Sequence, residues 1–426
     1  MTSQMIIVLC ILAFMVVMLL TRMIPYGVTA MMCCVAFVLT GVCDISTAFS
    51  GLSNSTTILV ATMIVVASAL GRTSLIHRLR MVLDSLQGKK GIVLVIAMCL
   101  ITIALSQLMG QIACLSIMLL FCQTLDEEGD LAPGRIFFLI ACVNTIWTSK
   151  IPVGMGATMP GTINSYYQGM VDVQNLLSIT DYFKAGFFPA TVGLIYCILF
   201  YKMLPKGNFD KSQVKDVKEQ EAISKRDERI IFGVFFMVIA GFMFSKQIGN
   251  NIANILPAVG VLILILTKTL KIDEVVKTLT GDMVWMIAGM SVMSNVLGKT
   301  GVGDLIGETV LKILGGNPSG VFVTIVFCAV TTLLTNFLSN MGTMALMCPI
   351  AAATAQAGGM SVKACVLVCA VSAWFAIVMP TGCSGSMMAF GVGNHNALKV
   401  MKFTIPMVLL MMVALVISVN VLFPVF

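Results

Sequence analysis

Apolar residues run along this chain in blocks of about 15 to 25, separated by short polar turns. A helix of that length crosses the ~30 Å hydrocarbon core of a bilayer. Barrel strands would need short alternating segments, and the sequence has none. The blocks predict membrane helices at 4–21, 24–43, 55–70, 183–204, 229–246, 252–270, 281–298 and 402–424. Four longer ones, at 91–124, 134–170, 320–357 and 361–395, are interrupted. Stretches near 72–88 and 302–315 are amphipathic; in the first, Leu75, Leu79, Val82, Leu83 and Leu86 share a face that His77, Arg78 and Asp84 avoid. That pattern predicts a helix lying in the membrane interface. Residues 205–228, with alternating Lys and Glu, form the one long polar stretch and predict a solvated cytoplasmic linker. It divides the chain into an N-terminal half, 1–204, and a second half, 229–426. The expected fold is all-α and polytopic.

Composition agrees. Of 426 residues, 58% are hydrophobic and only 11% charged, with a mean hydropathy of +1.01. A soluble globular surface carries far more charge, which excludes an ordinary soluble enzyme, a nucleic-acid binder and a disordered chain. The net charge of +7 reads as topology rather than as an anionic partner. With the linker inside, twenty Lys and Arg fall on the cytoplasmic side and five outside: Lys184, Lys246, Lys299, Lys312 and Lys363. Both termini are then outside a cell (inner) membrane, and the first apolar segment is expected to be retained. Fourteen cysteines lie singly in apolar segments apart from Cys33 and Cys34, with no CxxC pair, as small hydrophobes would.

The two halves repeat each other. Leu70-Gly71-Arg72-Thr73 corresponds to Leu297-Gly298-Lys299-Thr300. Gly91, Ile96, Cys99, Thr102, Leu105 and Met118 match Gly320, Ile325, Cys328, Thr331, Leu334 and Met347 at one constant offset. Pro152-Val153-Gly154-Met155-Gly156-Ala157-Thr158-Met159 matches Pro380-Thr381-Gly382-Cys383-Ser384-Gly385-Ser386-Met387. The topology makes these repeats inverted. Inverted repeats with helices broken at corresponding places are the sequence sign of a secondary transporter, whose site lies at the midplane.

Four segments form the candidate site. Two are hairpin tips, Ser106-Gln107-Leu108-Met109-Gly110-Gln111 and Thr335-Asn336-Phe337-Leu338-Ser339-Asn340, each a hydroxyl residue followed by two amides four apart. The others are the helix breaks Gly154-Met155-Gly156-Ala157-Thr158 and Gly382-Cys383-Ser384-Gly385-Ser386. Each could be a mere small-residue packing seam; their symmetry favours a site. Substrate contacts are expected from Gly110 and Gln111, from Lys150, from Gly156 and Thr158, from Ser339, Asn340 and Met341, and from Cys383 and Ser384. Every Asp and Glu falls in a loop, at a span end or on an amphipathic helix, whereas Lys150 stands at membrane depth beside the first break. An intramembrane lysine points to an anionic substrate or replaces a bound cation. No Walker, HExxH or GxSxG element is present, so no enzymatic activity is expected and transport must run on a gradient or by exchange.

At these residues the chain resembles the divalent anion:sodium symporter family, within the ion-transporter superfamily that includes arsenite and citrate permeases. Gly51-Leu52-Ser53-Asn54 is similar to the family's opening phrase. Thr335-Asn336-Phe337-Leu338-Ser339-Asn340-Met341-Gly342-Thr343, running to Met347-Cys348-Pro349-Ile350, resembles its second hairpin. The resemblance implies a homodimer in the lipid bilayer, an elevator-like motion, and a small anion (a dicarboxylate, citrate or sulfate) moved with sodium. It implies that Ser339 and Asn340 touch the substrate. One sodium would sit among Thr335, Asn340 and the backbone near Leu338 and Gly382; another would sit among Ser106, Gln111 and the backbone near Gly154. Bound sodium apart, it implies no cofactor.

The departures shape the expectation. The first Ser-Asn-Thr signature is Gly110-Gln111-Ile112 here, and the second loses its threonine to Met341. A Thr-Pro-Pro-like turn is absent after each break, with Gly156-Ala157 and Cys383-Ser384 standing roughly there. Lys150 is then expected to replace the first sodium, which leaves one sodium, a proton or exchange as the coupling mode. Two other readings share the superfamily: the large membrane subunit of a TRAP-type transporter, which would need partner proteins, and a sodium/proton antiporter, which lacks its buried carboxylate here.

Overall fold

The computed structural model describes residues 2–21, 23–74, 91–123, 125, 129–209 and 224–425. The amphipathic segment predicted at 72–88 and the middle of the 205–228 linker lie largely outside the described residues. Among the described residues the chain is helical, without strands.

Leaving aside helical turns of five residues or fewer, the helices in chain order are α1 (Ser3–Thr21), α2 (Tyr26–Leu39), α3 (Ser55–Leu70), α4 (Ile92–Leu108), α5 (Gln111–Cys122), α6 (Pro133–Trp147), α7 (Met159–Ser165) and α8 (Asp181–Phe200). Beyond the linker come α9 (Lys225–Met243), α10 (Asn250–Leu266), α11 (Ile272–Leu279), α12 (Asp282–Lys299), α13 (Val302–Ile313), α14 (Gly320–Thr335), α15 (Asn340–Ala357), α16 (Val362–Ser372), α17 (Ser384–Val392) and α18 (Ala397–Leu422). Each predicted interruption is a real one. The block 91–124 divides at 109–110, and 320–357 divides at 336–339. The blocks 134–170 and 361–395 lose their helix between α6 and α7 and between α16 and α17. α11 is a short helix that the hydrophobic pattern did not separate.

Among the described residues two continuous helices are long and apolar enough to cross a membrane unaided, Asp181–Met203 and Ala397–Leu422. They pack on each other: the Ser418 hydroxyl donates to the Ala185 carbonyl at 3.2 Å, and a Cβ on Gly193 would lie 2.8 Å from Met411 Sδ. Many of the other apolar helices are shorter, because their blocks are broken midway.

Two helices form the centre. Every residue of α6 is buried, and so is all of α16 except Lys363. A helix that is apolar all round has no face to give to solvent or lipid and belongs inside. α4 and α5 pack on α6 as α14 and α15 pack on α16. The same succession of hairpin, central helix, break, short helix and long helix thus occurs in both halves.

The phrase Gly51–Asn54 joins the halves. A Cβ on Gly51 would sit 2.0 Å from the Ala288 carbonyl oxygen of α12, so glycine alone fits there. Asn54 Oδ1 accepts from the Thr56 amide at 2.8 Å and so caps α3. Its Nδ2 donates to Ser291 on α12 at 3.2 Å. α2 approaches α12 as closely, with the Gly27 amide donating to Asp282 Oδ1 at 2.8 Å and Gly289 set directly against Ala30.

A side chain at position 289 must therefore push α2 away, since a Cβ there would lie 2.6 Å from that of Ala30. Overpacking of this kind costs about 1–3 kcal/mol. Gly289→Leu is expected to lower the melting temperature of the detergent-purified protein by several degrees; an unchanged value would show that the two helices separate freely.

Candidate functional site

A helix that ends inside a bilayer strands backbone groups that water cannot reach. In both halves a side-chain amide at the hairpin tip satisfies them. Gln107 Nε2 donates to the Trp147 carbonyl at the end of α6, 2.8 Å away, while its Oε1 accepts from the Ile151 amide at 3.1 Å. Asn336 repeats the arrangement: Nδ2 donates to the Phe375 carbonyl at 3.3 Å, and Oδ1 accepts from the amides of Val378 at 3.0 Å and Met379 at 3.3 Å. Thr381 adds a hydroxyl bond to the Asn336 carbonyl at 2.9 Å. These two amides hold the breaks open as non-helical backbone.

Glycine makes the fit possible. Gly154 has φ +58, and a Cβ there would lie 2.4 Å from the Gln107 carbonyl. A Cβ on Gly156 would meet the Ile151 carbonyl at 1.8 Å, and one on Gly382 would meet that of Ala376 at 2.8 Å. Ser149, at φ 55, is a non-glycine residue in the left-handed region at the same place, the kind of local strain that accumulates at functional segments.

The second amide of each tip behaves differently in the two halves. Gln111, the first residue of α5, reaches across to the second break. Its Oε1 accepts from the hydroxyl of Ser384, the first residue of α17, at 3.1 Å. Its Nε2 donates to Thr145 Oγ1 at 2.7 Å and lies 3.6 Å from Cys383 Sγ. Thr145 gives its own hydrogen to the Ala141 carbonyl at 2.9 Å, so it must accept from Gln111. The N-termini of two half-helices, one from each half of the chain, therefore meet through a side-chain bond. Gly385 closes over them, its Cβ position 2.7 Å from Gln111 Nε2.

Asn340 stays within its own half. Its Oδ1 accepts from Thr335 Oγ1 at 3.3 Å, and that hydroxyl also donates to the Ala373 carbonyl. A hydroxyl, an amide oxygen and a main-chain carbonyl are thus brought together, the oxygen donors a hard cation takes. Position 145 corresponds to 373 by the Pro152–Pro380 offset. In the first half the matching place is filled by the Gln111 amide nitrogen against the Thr145 hydroxyl. A donor NH₂ cannot ligate a cation.

The remaining candidates lie nearby without joining these clusters. Ser106 donates to the Ile103 carbonyl at 2.8 Å and accepts from Gln107, and Thr158 donates to the Met155 carbonyl at 2.7 Å. Ser339 caps α15 by accepting from the Gly342 amide at 3.0 Å. Gly110 is exposed beside Gln111, and Met341 is half-buried on α15. Leu338 is buried at the second tip, its amide bonded to the Leu334 carbonyl at 2.8 Å. Lys150 turns towards α8, where its Nζ meets Tyr182 Oη at 2.6 Å. Sequence reasoning passed over Gln107 and Asn336 as individual residues, although the paired amides four apart were the signal. Thr145 and Tyr182 gave none.

This is the architecture of a polytopic helical membrane transporter, and comparison with known proteins agrees. The citrate transporter family model matches residues 15–372 and 240–426. The chain belongs to that family, part of the ion-transporter superfamily. It is 22% identical over 414 residues to an uncharacterised transporter of Haemophilus influenzae, covering 92% of this chain and 87% of that one. It is 25% identical over 210 residues to the uncharacterised transporter YfbS of Escherichia coli, covering 49% of this chain and 33% of that one. A transporter of Synechocystis, sll0640, also uncharacterised, is 26% identical over 155 residues, 36% of this chain. The chain thus spans about a third and a quarter, respectively, of the last two relatives. In fold it is similar to the YdaH transporter of Alcanivorax borkumensis (TM-score 0.60, 14% identity, covering 90% of this chain and 87% of that one). It is likewise similar to MtrF of Neisseria gonorrhoeae, described as illuminating a class of antimetabolite efflux pumps (TM-score 0.58, 14% identity, 91% and 84%).

The pinning amides should matter more than their size suggests. Gln107→Leu or Asn336→Leu leaves buried backbone groups unpaired, at about 1–3 kcal/mol for each group. Either change is expected to lower the melting temperature more than Gln111→Leu does, because Gln111 lies partly exposed and contacts side chains. Equal effects of all three changes would contradict this division of labour.

Proposed function

We propose that the protein is a secondary transporter that moves a small multivalent anion, of the citrate, dicarboxylate or sulfate class, across the cell membrane with a coupling ion. The observation that carries this reading is the meeting of the α5 and α17 N-termini through Gln111 and Ser384. Helix N-termini carry unsatisfied N–H groups and partial positive charge. Two of them from opposite halves, at breaks inside a bilayer, suit an anion that must shed its water. Gly110, Gln111 and Ser384 would be the first groups an incoming carboxylate meets, with Gly156, Thr158, Cys383, Ser339, Asn340 and Met341 behind them.

The finer assignment to the divalent anion:sodium symporters carries over in part. One sodium would sit at Thr335, Asn340 and the Ala373 carbonyl, whose oxygens already converge. The first-half position would hold none, because the Gln111 amide nitrogen fills it. The matching succession of elements in the two halves supports an inverted repeat. With the excess of Lys and Arg inside, the linker would be cytoplasmic and both ends outside. The exchange of a Gln111–Ser384 contact for substrate contacts would suit an elevator-type motion in a homodimer.

Thermal unfolding of the detergent-purified protein against citrate, succinate and sulfate, each in sodium, potassium or choline, tests the reading. A ligand at a hundredfold excess over its Kd stabilises by about 2.7 kcal/mol. One of these anions is expected to raise the melting temperature in sodium. Asn340→Ala should remove the sodium requirement, and Ser384→Ala should weaken the anion itself by about tenfold, near the energy of one hydrogen bond. No response to any anion, together with no uptake into proteoliposomes, would refute the proposal.

A further inference from the structure

Lys150 lies outside the anion site just described, yet it is 1% exposed. Its Nζ lies 2.6 Å from Tyr182 Oη and stands 5.4 Å from the centre of the Trp374 ring, in the second break. Its stem packs against Gly186 of α8, where a Cβ would come within 3.0 Å of Lys150 Cδ and 3.6 Å of Val371. The amine is thus enclosed by the first break, by α8, by the end of α16 and by the second break. Its immediate neighbours are a phenol, an indole and apolar atoms.

Among the described residues no carboxylate lies within ion-pair distance of Nζ. Asp181, the residue before Tyr182, accepts from the Ser178 amide at 2.9 Å and faces Lys363 Nζ of α16 at 3.9 Å. Among the described residues, Cys348 of α15 also interacts electrostatically with Tyr182. An ammonium without counter-charge is expensive in so dry a place, whereas a neutral amine is not. The 2.6 Å contact serves both forms: an ammonium donates to the phenol oxygen, and an amine accepts the phenol hydrogen.

We propose that Lys150 and Tyr182 form a proton-binding site that couples transport to protons in addition to the sodium. In the conformation seen here Nζ is the neutral amine. Movement of the broken segments opens it to water on one side of the membrane, where it takes one proton, and closure against Tyr182 and Trp374 drives that proton off into water on the opposite side. The proposal rests on the transporter reading for its purpose, but not for its chemistry. It differs from a fixed charge standing in for sodium, which would keep its proton throughout.

The first test needs no substrate. Melting temperatures of the full wild-type chain and of Lys150→Met are compared in detergent from about pH 6 to pH 9. Unfolded lysine stays protonated up to about pH 10.4. A lysine that is neutral when folded therefore makes wild-type stability rise with pH relative to the methionine variant, while all other groups cancel. A difference that stays constant over this range overturns the proposal, whatever the protein transports. The second test uses radiolabelled citrate as the probe in proteoliposomes with an imposed pH gradient. Gradient-driven accumulation should fall by about tenfold or more in Lys150→Met, and equally in Lys150→Arg, which keeps a charge it cannot release. Accumulation at the wild-type level in the arginine variant overturns the proposal. Absence of citrate flux in the wild type itself counts against the citrate reading and leaves the first test to decide this one.

Discussion

Backbone that leaves its helix inside a bilayer must find hydrogen-bond partners within the protein. In this chain one side-chain amide in each half supplies them: Gln107 spans Trp147 and Ile151, and Asn336 spans Phe375, Val378 and Met379. Each amide matches a donor and an acceptor with two separate atoms at a fixed spacing, which an ionised carboxylate, an acceptor only, could not do. The rest of the site follows from this. With the breaks held open, α7 and α17 start where they do, and Ser384 comes within reach of Gln111.

Having served the same structural need in both halves, the repeat then diverges. Glutamine at 111 is one methylene longer than asparagine at 340, and it crosses to the other half instead of staying beside its own tip hydroxyl. That single difference turns one position into a bridge between half-helices and leaves the other as a cluster of oxygens. The anion site and the single sodium site proposed above would follow from that divergence.

The helix boundaries were legible because apolar length and breaking residues both report on the bilayer. Predicted spans such as 55–70 and 281–298 lie within a residue or so of α3 and α12. The breaks were legible from Gly154, Gly156 and Gly382, whose lack of a Cβ is required by carbonyls less than 3 Å from where one would be. Pairing across space was not. Nothing local in the sequence shows that Thr145 accepts from Gln111, or that Lys150 turns to Tyr182 on α8, since both contacts depend on how the central helices are rotated. The inward and outward roles of the two amides in each tip were hidden for the same reason: residues four apart share a helix face, but the chain leaves the helix between them.

On the reading proposed above, the two half-helix N-termini at Gln111 and Ser384 hold the transported anion. The most direct measurement is a cryo-electron microscopy map of the protein with a bound anion that stabilises it. Density is expected within hydrogen-bond reach of the backbone amides that open α5 and α17, with the Gln111–Ser384 contact replaced by contacts to the ligand. Ligand density elsewhere, with that contact intact, would contradict it.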